Sequence, residues 1–97
     1  VIVRADLPRG IQAAQVCHAA GESSPGGLGP GTYAVVLAVP DEVSLAREEA
    51  RLRAAGVALT AVHEPDPPYH GQLMALGLHP RRKEVLRRHV ASLPLLK

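Results

Sequence analysis

The sequence predicts an α/β fold, a three-layer α/β/α sandwich around one four-stranded mixed sheet. Three observations lead there. Short runs rich in Val, Leu and Ile alternate with longer Ala-, Arg- and Glu-bearing runs, in the order β-α-β-α-β-β-α. The run Tyr33–Val39 (YAVVLAV) is apolar throughout, as a central strand covered on both faces reads. The chain has 97 residues, the size of a single domain, here 1–97.

Each element has its own signals. Val1–Ala5 is a buried strand, closed by Asp6-Leu7-Pro8. Ile11 to about Gly21 is Ala-rich and free of Pro, which predicts the first helix. Ser23–Gly31 (SSPGGLGPG) is a Gly- and Pro-rich loop before the Tyr33–Val39 strand. Asp41 is the expected N-cap of the second helix and Gly56 its stop. Ala58–His63 is the third strand, Glu64–Gly71 a Pro-rich loop and Gln72–Leu78 the fourth strand. Pro80 suits the first turn of a last helix reaching about His89, and the apolar tail Leu93–Leu96 is expected to pack back on the body.

Composition narrows the function. There are two Tyr and no Phe or Trp, which excludes an aromatic platform for stacking bases. One cysteine excludes an intrachain disulfide and suits a reducing, cytoplasmic setting. No apolar run is long enough for a bilayer span, so no membrane partner is expected. The chain opens on Val1 rather than Met, so a short N-terminal piece is expected to be missing. A domain this small has a thin stability margin, which a homodimer would widen.

The charge is unevenly placed. Arg81, Arg82, Lys83, Arg87, Arg88 and Lys97 face only Glu84 in the last 19 residues, while the preceding part is net acidic. A basic end on an acidic body points to a phosphate-rich partner; a solvated helix face is the bland alternative.

At 100° per residue the first helix sorts into two arcs. Ala13, Val16, Cys17 and Ala20 form the arc expected to face the sheet, which makes Cys17 a small core residue. Ile11, Gln15, His18 and Glu22 form the arc expected to be displayed, with a carboxamide and an imidazole one turn apart. Imidazole titrates near neutrality and suits proton transfer, although a lone histidine is more often a surface residue. His63 and His70 flank the Pro-rich loop at a spacing that matches no closed zinc pattern, so no metal is expected. The Gly-rich loop precedes a strand rather than a helix, unlike a phosphate-binding fingerprint.

The residues Arg4-Ala5-Asp6-Leu7, Gly10, Ala13-Ala14-Gln15 and His18-Ala19 resemble the opening of the archaeal and eukaryotic type of peptidyl-tRNA hydrolase. That family begins with an R-x-D-L strand and a helix reading G-K-x-A-A-Q-x-x-H-A. The resemblance extends to Ala54-Ala55-Gly56 before a strand and to the acidic loop of Asp66 before Gly71 and Leu73–Leu76. It implies a mixed four-stranded sheet, often in a dimer. Two positions depart: Ile11 stands where the family has a lysine important for activity, and Gln72 stands where it has a threonine.

The resemblance implies an esterase that cleaves a peptidyl, or N-blocked aminoacyl, group from tRNA without metal or organic cofactor. His18 and Asp66 would divide the acid–base work, and Gln15 or Gln72 would stabilise the oxyanion. Arg4, Arg9, Arg81, Arg82, Arg87 and Arg88 would hold tRNA phosphates. The alternative is a weak or inactive relative that binds tRNA or a nucleotide without turnover. A protein-binding module, its basic helix a solvated face, is a third reading.

Overall fold

The computed structural model describes residues 1–97. Its elements are β1 (Ile2–Arg4), α1 (Arg9–Ser23), β2 (Leu37–Val39), α2 (Glu42–Ala54), β3 (Leu59–Glu64), β4 (Gln72–Leu78) and α3 (Lys83–Val90). The sheet order is β2-β1-β4-β3, with β1 parallel to β2 and antiparallel to β4, and β3 antiparallel to β4. It is a mixed four-stranded sheet in an α/β fold.

The two faces carry different cores. Successive strand residues point to opposite faces, and Ile2 and Val3 accordingly fall into separate clusters. Ile2 packs with Leu59, Leu76 and the α2 residues Leu45 and Leu52, with Leu86 and Val90 of α3 alongside. Val3 packs with Val62, Ala75 and Ala19 of α1. Helices therefore cover both faces.

Local chemistry explains α2. The Asp41 carboxylate accepts from the Ser44 N–H at 2.9 Å, which caps the N-terminus. At the other end Gly56 has φ +78°, and the N–H groups of Gly56 and Val57 donate to the Arg53 and Leu52 carbonyls. That paired closure is the Schellman motif, and Val57 is buried beside Leu52 as the motif requires.

Three expectations are corrected. First, Tyr33–Val39 is not a central strand. Only Leu37–Val39 is β2, at an edge of the sheet, and Tyr33 is 87% exposed. β4 takes the place beside β1 that a central β2 would need. The open edge of β2 is paired instead by the tail. Ala38 N–H donates to the Pro94 carbonyl at 2.9 Å, and Leu96 N–H to the Val36 carbonyl at 2.9 Å. Second, α1 is rotated from the expected arc. Gln12, Gln15, Ala19 and Ser23 face the sheet, and Cys17 is exposed. The close approach of α1 to β4 selects this face. A Cβ on Gly77 would overlap the Ala19 carbonyl oxygen and lie 2.8 Å from the Ser23 side chain. Small residues at 19 and 23 fit there, while Gln12 reaches past them to donate to the Arg4 and Ala5 carbonyls. Third, α3 begins at Lys83 after the Arg82 cap, so Pro80 precedes the helix instead of opening it.

Candidate active site

The first two turns of α1 and the loop after β3 enclose a cleft of about 340 Å³. Its walls are Ile11, Gln15, Glu64, Asp66, Pro67, Pro68 and Tyr69. Two of the expected site residues, Gln15 and Asp66, thus line one cleft.

Hydrogen bonds order it. Gln15 is 3% exposed, and its Nε2 donates to Glu64 Oε2 at 3.1 Å. The Asp66 N–H donates to Glu64 Oε1 at 3.1 Å. Glu64 is therefore oriented by two donors, one on each oxygen. The Asp66 carbonyl accepts from the N–H groups of Tyr69 and His70, and Gly71 N–H donates to the Glu64 carbonyl at 2.7 Å. This closes the loop into a compact turn that includes a cis Pro67–Pro68 bond. The Asp66 side chain is exposed at the cleft.

His18 is exposed and does not line the cleft. It sits three residues beyond Gln15, about 4.5 Å further along the helix axis. Ile11, Gln15 and His18 fall on one stripe of the helix by their spacing. Gln72 is not in the cleft either. It pairs with Glu64 across the strands, but its Oε1 accepts from Arg4 Nη1 at 2.9 Å.

Arg4 is a correction. It is 6% exposed, and all its reach is spent inside the protein. Nε and Nη2 grip Asp6 in a bidentate pair at 3.0 Å each, while Nη1 donates to Gln72 and to the Leu73 carbonyl. The hydrogen bonds that the guanidinium donates to Asp6 raise its pKa above the ordinary value, opposed by burial. Arg4 staples β1 to β4, buried, with four of its five N–H donors spent on Asp6, Gln72 and Leu73. Arg9 is exposed and donates to the Lys97 carbonyl.

The other arginines stay outside. Arg81, Arg82, Arg87 and Arg88 are exposed, and none makes an ion pair; the three ion pairs are Arg4–Asp6, Arg51–Glu48 and Arg53–Glu49. β4 starts at the cleft and ends at Leu78, where the basic segment begins. At about 3.4 Å per residue its ends are about 20 Å apart. The acidic cleft and the basic segment occupy opposite ends of the sheet.

No protein-family model matches the chain, and no curated protein matches it.

Sequence reasoning misses two residues of the site. Glu64 reads as the edge of a loop, and Tyr69 as part of it. The Glu-Pro-Asp-Pro-Pro-Tyr spacing is visible, but only the turn brings both carboxylates to α1. Elsewhere a shallow groove runs between α2 and His63, lined by Val43, Ala46, Ala50 and Leu73. No cluster of three or more His, Cys, Asp or Glu side chains could hold a metal ion. No helix is long and apolar enough to cross a membrane.

Proposed function

We propose that the protein hydrolyses the ester that joins an acyl group, a peptidyl group in the first instance, to the terminal ribose of tRNA. The observation that carries this reading is the meeting of Gln15 and Asp66 in one cleft, on the helix whose sequence resembles that of the peptidyl-tRNA hydrolases. The unpaired arginines, which follow the far end of β4, supply the phosphate-binding surface.

The chemistry follows from the side chains. Asp66, exposed and rigidly carried, takes a proton from a water as its oxygen attacks the ester carbonyl. The remaining Gln15 N–H steadies the oxyanion. The ester bond to the ribose oxygen then breaks, and His18 returns a proton to that oxygen. A positioned acid or base contributes about 10²–10⁴ in rate. Nothing in this sequence of steps requires a metal or an organic cofactor.

A second reading has one specific support. Ile11 lines the cleft at the position where the resemblance expects lysine, so the site has no cation at the ester. A tRNA-binding module without turnover is the result. Release of tRNA from a labelled peptidyl-tRNA by the purified protein decides between them. The hydrolase reading expects slow release, reduced about 100-fold or more by Asp66→Asn or His18→Ala, and raised by Ile11→Lys. Binding without release, by the wild-type chain and by Ile11→Lys alike, establishes the binding module instead.

A further inference from the structure

We infer that the open edge of β3 binds the peptidyl chain of the substrate as an added strand, main chain to main chain, running parallel to β3 with its C-terminal ester at the Gln15–Asp66 cleft. The inference rests on the hydrolase reading for the identity and direction of the occupant. The edge that receives it is a feature of the sheet.

The two edges of the sheet differ. The order β2-β1-β4-β3 places β2 and β3 outside. β2 is paired on its outer side by the tail, through Ala38–Pro94 and Val36–Leu96. β3 pairs with β4 alone. The Ala58 carbonyl accepts from the His79 N–H and the Glu64 carbonyl from the Gly71 N–H, so these residues, and by alternation Thr60 and Val62, turn their main-chain groups toward β4. The register shift at Val62/His63 makes Met74 of β4 the extra residue and leaves β3 regular. Leu59, Ala61 and His63 therefore direct their N–H and C=O groups outward, where no strand meets them. That stretch has no Lys, Pro or bulge to guard it against pairing.

Two observations point to a peptidyl chain as the occupant. First, the edge leads into the cleft. β3 ends at Glu64, a wall of the cleft, and Asp66 follows two residues later. A chain esterified at its C-terminus in the cleft extends back along His63 and Ala61 to Leu59, which fixes the parallel direction. At about 3.3 Å per residue, this edge takes about five residues of extended chain. Second, an apolar groove flanks the edge on the α2 face, where Leu59 and Ala61 also pack. Val43 is 60% exposed there, and with Ala46, Ala50 and Leu73 it lines the groove beside His63. Alternate side chains of an added strand fall on this face. The groove takes apolar ones, while main-chain bonds hold a chain of any sequence. Such recognition suits a substrate whose peptide varies.

The test is an NMR titration with an acetylated Ala-Val-Ala-Val-Ala amide, which has no ester to cleave. The N–H signals of Leu59, Ala61 and His63 should shift and exchange more slowly with the peptide present. The same peptide N-methylated at its three central residues keeps its side chains but loses donors, and should bind at least about tenfold more weakly. Ala61→Pro removes an outward donor at a position where an edge strand tolerates proline, and should weaken binding about two- to tenfold. The N-methylated peptide serves if that variant fails to fold. Equal binding of the two peptides, or shifts confined to other elements, overturns the inference. A concentration-dependent dimer that Ala61→Pro dissociates, seen by sedimentation, puts a second copy on the edge and also overturns it. Turnover separates the inference from the hydrolase reading. Peptide binding at the edge without hydrolysis of any peptidyl-tRNA keeps the edge as a peptide site and removes the hydrolase. With both readings right, tRNA carrying the acetylated pentapeptide should show a KM about tenfold below that of tRNA carrying acetyl-alanine. Equal KM values keep the hydrolase and remove the edge from its substrate site.

Discussion

Gly77 leaves α1 no clearance for a methyl group, because the backbone carbonyl of Ala19 occupies the place a Cβ would take. The clash is with backbone, which cannot rotate away. Gly77→Ala should therefore cost about 1–3 kcal/mol, read from the urea midpoint with an unchanged slope. A stability equal to wild type would show that α1 slides without penalty. Asp41 offers a pH test. Its hydrogen bonds from Ser44 lower its pKa below the ordinary 3.8. A depressed carboxylate contributes stability that is full above its unfolded pKa and is lost as the pH falls through the lower folded value. Asp41→Asn keeps an acceptor for Ser44 but cannot titrate. Its urea midpoint should fall less than that of wild type between about pH 5 and pH 2.

At the scale of elements, the C-terminal tail acts as a fifth, irregular strand. It bonds to β2 through Ala38–Pro94 and Val36–Leu96, with an isolated bridge between Leu37 and Leu95. An open edge is a template for pairing with another chain. Removal of residues 93–97 should lower the thermal midpoint and introduce concentration-dependent association, measured by sedimentation. A truncated chain that stays monomeric and equally stable would show that the tail is only a decoration. α3 depends on the same packing, since Leu86, Val90 and Leu93 reach the core while Arg87 and Arg88 face outward.

At the scale of the whole molecule, charge is sorted by position. The carboxylates of the cleft sit at one end of β4, and the unpaired arginines begin at the other. On the proposed function, a tRNA held by its phosphates at the basic end would keep those phosphates away from Glu64 and Asp66. Replacement of Arg81, Arg82, Arg87 and Arg88 by Ala should flatten the log–log salt dependence of tRNA binding. Each phosphate that is no longer neutralised takes about 0.7–0.9 off the slope. An unchanged slope and affinity would take the basic segment out of the interface.

The sequence by itself determined the order of the elements and the ends of α2, because caps, Gly stops and propensity act over four or five residues. Gln72–Leu78 was legible as a strand for the same reason. Only the tertiary structure decided where Tyr33–Val39 lies, since an apolar run does not say what will cover it. The tail covers β2 from the far end of the chain, where Leu95 meets Leu37. The face of α1 was likewise not local. Apolar periodicity pointed to Ala13, Val16, Cys17 and Ala20; Val16 does pack against the core, but the approach to Gly77 and the carbonyls of Arg4 and Ala5 turned Gln12, Gln15 and Ala19 inward and left the other three exposed. Gln15 and Asp66, named from the sequence, line the cleft; Glu64 was not named, because its partner is 49 residues away. Arg4 showed the opposite error: a cation reads as surface until it is found buried and bonded to Asp6, Gln72 and Leu73.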